Sequence, residues 1–445
     1  MSKRIVVLGG AESGTGAAVL AKLQGFDVFL SDMSKIAPAF INTLNDYGIA
    51  FEQGQHTADL ICNATEIIKS PGIPNKAPII QQIIALQIPI ISEIEFASRY
   101  TKAKMIAITG TNGKTTTTLL TYHLLKNAGL NVGLAGNVGN SFAMQVATKK
   151  FDYYVLELSS FMLDDMFEFK ADIAILTNIT PDHLDRYDYQ MQKYVNSKFR
   201  ITQNQTASDY FIYCKDDEVI QAALASQQID STMIPFSIAE DLAYGASISN
   251  QHLNIKLKQN TFTMTIQELA LQGKHNLYNS MASGVAAKLL DIRNETLKES
   301  MSDFKNAPHR LEHVARIQGI EFINDSKATN VNATWFALES INTPIIWIAG
   351  GVDKGNDYSM LTQLVKDRVR AIVCLGTDNS KIHEAFGNVV DIIVNTASAT
   401  EAAEVSYHLG KKGDTVLLSP ACASFDLFKN YEDRGQQFID AVKEL

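Results

Sequence analysis

The sequence is poor in cysteine, with four cysteines in 445 residues. They lie far apart and form no Cys-x-x-Cys pair, so the sequence predicts neither a zinc knuckle nor a disulfide framework. We expect each of them to be a small, buried, apolar residue. The four are Cys62, Cys214, Cys374 and Cys422.

Long apolar runs are missing as well. The run from Ile5 to Leu8 ends at two glycines and is too short for a signal peptide. The longer apolar stretch near Ile79 is interrupted by glutamines and by Pro89, which argues against a membrane span there. We therefore expect a cytoplasmic protein that has no membrane as a partner.

Positive charge is in deficit, because 39 lysines and arginines stand against 48 aspartates and glutamates, for a net charge of −9. This balance argues against a broad nucleic-acid-binding surface, so we expect no nucleic acid as a partner. Any anionic ligand has to be held by a few local cations and backbone N–H groups. The chain is longer than one hydrophobic core usually organises, which predicts about three domains, and we expect a monomer.

The most informative segment that is present is MIAITGTNGKTTTT, residues 105–118. An apolar strand leads into a turn in which Gly110 and Gly113 allow the backbone N–H groups to point inward, and a helix then begins near Thr115. Lys114 adds a charge at the outer phosphates of a nucleotide, and the Thr115 hydroxyl can bind Mg²⁺. The spacing, Gly-x-x-Gly-Lys-Thr, is two residues shorter than in the general phosphate loop. The segment predicts a phosphate-binding loop.

Two further apolar segments predict strands of the same central sheet. Residues 153–157 end in the carboxylate of Glu157, where a side chain could position the metal ion of a nucleotide. Residues 172–178 bring the loop 179–185 to the same carboxyl edge of the sheet. The segment 209–269 consists of short apolar runs and polar turns, which indicates a small appended β lobe.

The first 92 residues alternate between short strands, predicted at 4–8, 28–31, 60–64 and 88–91, and helical segments. Their first turn, residues 9–16, is rich in glycine, and Asp32 ends the second predicted strand, as in a dinucleotide site. The spacing is not Gly-x-Gly-x-x-Gly, which favours another nucleotide diphosphate over a nicotinamide cofactor. The turn 70–74 could approach a phosphate or be only a rigid loop.

The last block alternates in the same way, with strands predicted near 322–324, 345–349, 371–375, 391–394 and 415–419. The polar turns 325–330, 350–354 and 419–424 are expected along one edge of a third sheet, where ligands bind in such folds. The sequence therefore predicts an α/β protein of three domains. Their predicted bounds are 1–92, 93–306 and 307–445.

Four segments resemble the Mur ligases, ATP-dependent enzymes that join amino acids to the UDP-sugar peptide precursor of the bacterial cell wall. These are GTNGKTT at 110–116, TNITPDHLD at 177–185, KHNLYN at 274–279 and His309-Arg310. NDSKATN at 324–330 and SPACASFDLFKN at 419–430 resemble the members that add D-glutamate to UDP-N-acetylmuramoyl-L-alanine. Other members and folylpolyglutamate synthase usually have a Tyr-x-His type sequence at the place of residues 325–327.

The resemblance implies a Rossmann-like UDP-binding domain, a central P-loop ATPase-like domain and a Rossmann-like domain that binds the amino acid. It implies ATP and two Mg²⁺ ions as cofactors. Two other functions stay open: an amide ligase of the same family with another amino acid, and a regulatory nucleotide-binding switch without ligation. The ATP-binding residues implied are Gly110, Thr111, Asn112, Gly113, Lys114, Thr115, Thr116, Asn276, Asn279, Arg310 and Asp325.

The resemblance also assigns the remaining roles. The catalytic residues implied are Lys114, His183, Lys198 and Lys327, with Lys198 a candidate for carbamylation by CO₂, and the metal ligands are Thr115, Glu157, His183 and Lys198. The UDP-sugar contacts implied are Asp32, Ser70, Gly72, Asn137 and His183, and the D-glutamate contacts are Thr329, Lys354, Ser424 and Phe425. Phe425 stands where leucine is common and Tyr431 where phenylalanine is common. No motif includes His56, His123 or His313, so these are expected to be surface or packing residues.

Overall fold

The computed structural model describes residues 3–258, 260–353 and 355–445. Among these residues the strands form three sheets, of five, nine and six strands. The predicted α/β class with mainly parallel sheets in three domains is confirmed. The chain forms two compact units: residues up to Ala270 with Leu277–Phe304, and Leu271–Asn276 with Lys305–Leu445. The domain bounds at 92/93 and 306/307 stay predictions.

The first sheet is parallel throughout. Its strands are β1 (Arg4–Leu8), β2 (Asp27–Asp32), β3 (Ala50–Gln53), β4 (Glu66–Lys69) and β5 (Ile90–Ile91), and its segment includes the helices α1 (Glu12–Leu23), α2 (Pro38–Asp46), α3 (Ala58–Ile61), α4 (Pro78–Ala85) and α5 (Glu93–Ser98). The strand order is β3-β2-β1-β4-β5, so β1 lies at the centre.

The prediction of a strand at residues 60–64 is wrong, because these residues form the end of α3 and the turn that follows it. The apolar run there is too short for its periodicity to separate a helix from a strand. The strand that pairs with β1 is β4, in which Ile67 and Ile68 are buried on both faces of the sheet. The turn 70–74 therefore follows the fourth strand of the chain rather than the third.

The second sheet has the order β14-β13-β12-β11-β10-β9-β6-β8-β7. Its strands are β6 (Lys104–Thr109), β7 (Val132–Gly136), β8 (Tyr153–Glu157), β9 (Ile173–Leu176), β10 (Tyr210–Cys214), β11 (Thr232–Ser237), β12 (Gly245–Ser249), β13 (His252–Lys256) and β14 (Thr261–Thr265). The helices of this segment are α6 (Lys114–Asn127), α7 (Phe142–Thr148), α8 (Ser160–Asp164), α9 (Met191–Phe199), α10 (Glu218–Leu224), α11 (Lys274–Leu289) and α12 (Asn294–Asp303).

The segment predicted as a small β lobe continues the central sheet. β10 pairs in parallel with β9 and with β11, and the helix α10 connects β10 to β11. Phe211, Ile212 and Ile234 are fully buried, as expected for strands covered on both faces. At the edge of the sheet, β13 pairs in the antiparallel sense with both β12 and β14.

The third sheet has the order β15-β16-β20-β17-β18-β19 and is parallel except for β15, an edge strand that the sequence did not indicate. Its strands are β15 (Glu312–Ile317), β16 (Ile320–Asn324), β17 (Ile345–Ala349), β18 (Val369–Leu375), β19 (Ile393–Thr396) and β20 (Thr415–Leu418), and its helices are α13 (Val331–Ser340), α14 (Thr362–Arg368), α15 (Ser380–Phe386), α16 (Ala399–Leu409) and α17 (Tyr431–Lys443).

The cysteines behave largely as predicted. All four are free thiols; Cys214, Cys374 and Cys422 are buried, and Cys62 is half-buried. Within the described ranges, no helix combines the length and the apolar character that crossing a membrane requires.

Candidate active site

The phosphate loop has the predicted strand, turn and helix. It connects β6 to α6, which begins at Lys114. Gly110 and Gly113 have φ angles of 149° and 79°, which side chains rarely adopt. A Cβ atom on Gly110 would lie 1.9 Å from Thr177 Oγ1, and one on Gly113 would lie 2.4 Å from Asn279 Oδ1. Both positions therefore require glycine for conformation and for space.

The loop after β9 supports the phosphate loop through polar contacts. Thr111 Oγ1 donates to the carbonyl oxygen of Thr180 over 3.0 Å, and the Asn112 N–H donates to Asn178 Oδ1 over 2.9 Å. Thr177 Oγ1 donates to the Asn112 carbonyl over 2.7 Å. The predicted proximity of these two loops at the carboxyl edge of the sheet is confirmed.

Two lysines meet at one carbonyl group of the phosphate loop. Lys114 Nζ donates to the Gly110 oxygen over 2.8 Å, and Lys198 Nζ, from α9, donates to the same oxygen over 2.6 Å. Lys198 is 1% exposed, and its ammonium nitrogen lies 4.5 Å from the centre of the Tyr194 ring. Burial, and then the charge of Lys114, lowers the pKa of Lys198 well below its usual value. A lysine in a helical segment is by itself typical of a solvated charge, so the burial of Lys198 could not be read from its own position in the sequence.

Glu157, at the end of β8, is also buried. Its Oε1 atom accepts a hydrogen bond from Asn137 Nδ2 over 2.8 Å, whereas Oε2 is buried and has no hydrogen-bond partner among the described residues. An unpaired buried carboxylate oxygen is costly, and a bound cation would satisfy it. The donor set of Glu157 and the Thr115 hydroxyl fits Mg²⁺, which is usually held by one or two carboxylates together with substrate phosphates.

His183 lies on the loop before the 3-10 helix Leu184–Tyr187 and is exposed, with a left-handed φ of 51°. Its ring packs edge-to-face on Phe161 at 5.2 Å, and its Nε2 atom lies 3.7 Å from Asp182 Oδ2. The described residues contain no cluster of three or more His, Cys, Asp or Glu side chains that could hold a metal ion.

The first sheet brings several of the predicted UDP-sugar residues together. A Cβ atom on Gly9, in the glycine-rich turn, would lie 2.3 Å from Ser70 Oγ, so this turn and the turn 70–74 are in close contact. The space around Gly72 is open. The Asp32 carboxylate accepts hydrogen bonds from the N–H groups of Gly10 and Ser34 over 2.6 and 2.7 Å. Asp32 lies beside the first turn, and its hydrogen bond from Gly10 stabilises the conformation of that turn.

His56 belongs to a polar cluster next to this turn. Its Nδ1 atom lies 2.7 Å from Ser31 Oγ, which also donates to Glu52 Oε1 over 2.8 Å. The half-buried ring has its pKa lowered by burial. The predicted packing role of His56 fits these contacts.

The turns of the third sheet converge as predicted. The Gly350 N–H donates to the Pro420 carbonyl over 2.9 Å, and the Ala421 N–H donates to the Ala328 carbonyl over 3.0 Å. Of the predicted D-glutamate residues, Ser424 is buried, Thr329 is half-buried and Phe425 is 73% exposed. The fourth, Lys354, lies outside the described residues.

Arg434, which no motif indicated, holds these turns together from α17. Its buried guanidinium group donates to the carbonyl oxygens of Ser326, Gly350 and Cys422 over 2.9 to 3.4 Å and to Ser326 Oγ over 3.0 Å. Burial lowers the pKa of Arg434 to about 10. Its only sequence signal is a charged residue in an amphipathic helix, which is typical of a solvated position.

The predicted nucleotide residues of the second unit lie in part around a buried carboxylate. Asp325 accepts hydrogen bonds from Ser419 Oγ over 2.9 Å and from the Leu311 N–H over 3.2 Å. Burial raises the pKa of Asp325 to about 6, against an opposing effect of the Arg310 charge. Arg310 Nε is buried and has no hydrogen-bond partner among the described residues. Lys327 Nζ lies 5.4 Å from the Tyr431 ring centre.

Asn276 and Asn279 lie on α11, one in each compact unit. Asn276 Nδ2 donates to the Gln272 carbonyl over 2.8 Å within its own unit. Asn279 Oδ1 accepts a hydrogen bond from Thr117 Oγ1 over 3.1 Å, beside the phosphate loop. Asn279 is therefore positioned by the helix that carries Lys114.

Three family models match the chain: the Mur ligase MurD-like N-terminal domain over residues 3–92, the Mur ligase middle domain over 108–287 and the Mur ligase glutamate ligase domain over 309–422. Proteins named UDP-N-acetylmuramoylalanine--D-glutamate ligase from Bacteroides fragilis and Christiangramia forsetii are 55% and 54% identical to this chain, and the matches cover 100% of all chains. The protein of that name from Salinibacter ruber is 40% identical over 99% of this chain and 98% of its own.

Solved structures agree in fold. The UDP-N-acetylmuramate-alanine ligase of Thermotoga maritima matches with a TM-score of 0.63 at 19% identity over 100% of both chains. The MurF ligase of the same organism, solved in complex with ADP, matches with a TM-score of 0.63 at 14% identity over 94% of both chains. These two likenesses concern the fold alone, whereas the sequence identities extend over the whole chain. The protein belongs to the Mur ligase family.

Proposed function

We propose that this protein is an ATP-dependent amide ligase that adds D-glutamate to UDP-N-acetylmuramoyl-L-alanine during cytoplasmic synthesis of the peptidoglycan precursor. The observation that carries the proposal is the 55% identity, over the full chain, to relatives named UDP-N-acetylmuramoylalanine--D-glutamate ligase. The phosphate loop and the three convergent turns support it, because such a ligase needs both a nucleotide site and an amino-acid site. A regulatory switch would need no amino-acid site.

In the first step, the terminal carboxylate of the alanyl substrate attacks the γ-phosphorus of ATP. A bond forms between a carboxylate oxygen and the γ-phosphorus, and the bond between this phosphorus and the β,γ-bridging oxygen breaks. The products are an acyl phosphate and ADP. Lys114 Nζ, which donates to the Gly110 and Thr111 carbonyls, would turn to the phosphate oxygens and stabilise their charge. Lys327 would lie near the transferred phosphoryl group. Asn276, Asn279, Arg310 and Asp325 would contact the nucleotide, and the unpaired Arg310 Nε supports a polar ligand there.

Thr115, Glu157, His183 and Lys198 would hold Mg²⁺, of which we propose two ions. The metal would supply positive charge at the phosphates. The orphaned Glu157 Oε2 supports this assignment. Lys198 fits it as an anion, because a protonated lysine has no acceptor for a cation and Mg²⁺ prefers oxygen ligands to an amine nitrogen.

Carbamylation provides that anion. The Lys198 amine adds to CO₂, an N–C bond forms, and one proton leaves, so a carboxylate replaces the amine at the end of the side chain. A neutral amine is the form that reacts, and burial of Lys198 favours this form. The repulsion between Lys198 and Lys114 would become an attraction.

In the second step, the amine of D-glutamate attacks the carbonyl carbon of the acyl phosphate. A C–N bond forms, the tetrahedral intermediate loses phosphate and a proton, and the amide is released. The two carboxylates of D-glutamate need positive charge and hydrogen-bond donors, which Lys354, Thr329 and Ser424 would supply beside Phe425. Arg434 would keep the turns of this site in place.

The UDP-sugar would bind at the first sheet and reach toward the phosphate loop. Asp32 would face the uracil, Ser70 and Gly72 the diphosphate, and Asn137 and His183 the muramyl arm. The hydrogen bond between Asn137 and Glu157 supports this, because it joins a proposed sugar residue to a proposed metal ligand. We further propose that the protein acts as a monomer with neither nucleic acid nor membrane as a partner.

The experiment is a measurement of ADP release with ATP, Mg²⁺ and UDP-N-acetylmuramoyl-L-alanine, to which D-glutamate, L-glutamate, L-alanine or L-lysine is added. Release that depends on D-glutamate alone is expected. Stimulation by another amino acid would assign the protein to a different amide ligase of the family. ADP release that no amino acid changes would favour a switch, and Lys114→Ala serves as the control for contaminating ATPase.

A further inference from the structure

Arg186 joins the second sheet's segment to the turn that follows β4. It lies on the 3-10 helix Leu184–Tyr187, three residues after His183. Its Nη2 atom donates to the carbonyl oxygen of Pro71 over 3.0 Å, and its guanidinium carbon lies 4.4 Å from the centre of the Phe161 ring. Pro71 stands between the two residues assigned above to the diphosphate, so one side chain holds their turn.

A continuous series of ring contacts leads from Arg186 to the phosphate loop. Phe161, under the guanidinium group, packs on His183 at 5.2 Å and lies nearly parallel to Tyr187 at 6.2 Å. Tyr187 packs on Tyr194 at 5.4 Å, and the Tyr194 hydroxyl lies 3.1 Å from Thr111 Oγ1. A shift of Arg186 would therefore change the position of the turn 70–74 relative to both His183 and the phosphate loop.

The same turn is held at its other end by a buried cation. Lys69 Nζ donates to the Ile73 carbonyl over 3.2 Å and pairs with Asp165 Oδ2 over 2.8 Å. Lys69 and Arg186 both line a cavity of about 260 Å³ between the turn and the 3-10 helix. Two of the turn's carbonyl oxygens thus point to cations of the scaffold.

We propose that Arg186 is a positioning residue for the sugar nucleotide: by holding the Pro71 carbonyl, it sets the separation between the diphosphate-binding turn and the His183 loop. This inference rests on the proposed function. The substrate is bound at its diphosphate end and reacts at its alanyl end, so a small shift of the turn displaces the reacting carboxylate. Arginine suits this role because it combines a charge-assisted hydrogen bond with stacking on an aromatic ring.

The test compares Arg186→Met with the wild-type enzyme, because methionine keeps an apolar contact on Phe161 and loses the donor to Pro71. Calorimetric titration with UDP-N-acetylmuramoyl-L-alanine should give a Kd raised about tenfold, the loss expected for a hydrogen bond from a charged group. The KM for this substrate should rise likewise, whereas the KM for ATP should stay within about twofold. Arg186→Lys should recover part of the affinity, because its ammonium group can donate to Pro71.

Arg200 offers a matched control. It also donates to backbone carbonyls, those of Leu163 and Met166, and its guanidinium carbon lies 5.4 Å from the Phe167 ring centre. None of these partners belongs to the turn 70–74. Arg200→Met should therefore lower the melting temperature without a selective rise in the Kd for the sugar nucleotide.

Three results would overturn the inference. The first is an unchanged Kd in Arg186→Met, and the second is an equal rise of all three substrate KM values, which would indicate a general structural role. The third is the same selective loss in Arg200→Met. If Arg186→Met does not fold, Arg186→Leu, which also lacks the donor to Pro71 and keeps an apolar side chain, decides by the same criteria. A wild-type enzyme that fails to bind UDP-N-acetylmuramoyl-L-alanine would contradict the proposed function itself, and this inference with it.

Discussion

Lys114 and Lys198, 84 positions apart, donate hydrogen bonds to the same oxygen atom, the carbonyl oxygen of Gly110. Burial disfavours the charged form of Lys198, and repulsion by the nearby Lys114 charge adds to this effect. The arrangement favours a neutral Lys198 amine, which is the form that can add CO₂. The resulting anion would lie beside a lysine that faces the phosphates.

Replacing Lys114 tests the phosphate loop. Lys114→Ala should fold normally and lower kcat by at least about a hundredfold, because a charge directed at a transferring phosphoryl group contributes several kcal/mol to the transition state. Lys126→Ala, an exposed change in the last turn of the same helix, should leave kcat within about twofold. Near-normal turnover of Lys114→Ala would rule out the assigned role.

Replacing Lys198 tests the carbamate. Lys198→Ala should be almost inactive, and added short-chain carboxylates should restore part of its activity by placing an anion in the vacated space. Lys198→Arg should be equally inactive, because arginine keeps a positive charge and forms no carbamate. Lys193→Ala, on the exposed side of the same helix, should be active and insensitive to carboxylates. High activity in Lys198→Arg would reject the carbamate.

Replacing Arg434 tests the support of the amino-acid site. Arg434→Lys keeps the charge but cannot reach the carbonyls of three turns at once, so the free energy of unfolding should fall by about 3 kcal/mol. The KM for D-glutamate should rise at the same time. Arg316→Lys, an exposed change on β15, should alter the free energy of unfolding by less than about 0.5 kcal/mol. An Arg434→Lys variant as stable as the wild type would show that the turns hold without the guanidinium group.

The pH dependence of stability tests the buried carboxyl group of Glu93. Its Oε1 atom accepts hydrogen bonds from Ser141 Oγ and the Ala143 N–H over 2.6 and 2.8 Å, and burial, with Glu12 adding to it, raises the pKa of Glu93 from 4.5 to about 7. The folded protein therefore binds a proton that the unfolded chain loses between pH 4.5 and 7. Its free energy of unfolding falls by up to about 3 kcal/mol as the pH rises through this range.

Glu93→Gln removes this dependence, because glutamine accepts the same hydrogen bonds and stays neutral. The difference in free energy of unfolding between the variant and the wild type should grow from pH 4.5 to 7 and then stay constant, as measured by urea unfolding at each pH. A difference that does not change with pH would mean that Glu93 is ionised throughout this range in the folded state.

The phosphate loop was predictable because its geometry is encoded locally. The spacing of Gly110, Gly113 and Lys114 fixes a strand, a turn and a helix within a few residues. The carboxyl edge of the third sheet was predictable for a related reason, since each polar turn directly follows a buried strand. The sequence alone also revealed the family through its motifs.

Contacts between distant parts of the chain were not predictable. Nothing near Arg186 or Arg434 indicates that these side chains donate to carbonyl groups of remote turns, because the acceptors belong to the backbone and have no residue signature. The burial of Lys198 has no signal in the residue itself, since only the family resemblance singles it out, although Tyr194, one helical turn before it, is a possible signal of burial. The strand β4 was missed because its ends are charged and its apolar centre is only two residues long.

The most direct test of the proposed reaction follows an oxygen atom. The substrate UDP-N-acetylmuramoyl-L-alanine is prepared with ¹⁸O in both oxygens of its alanyl carboxylate, and the phosphate released with ATP and D-glutamate is analysed by mass spectrometry. An acyl phosphate passes one carboxylate oxygen to phosphorus, so each phosphate released should carry one ¹⁸O atom, and release should require D-glutamate. Unlabelled phosphate, formed at the same rate with or without D-glutamate, would contradict the proposed reaction.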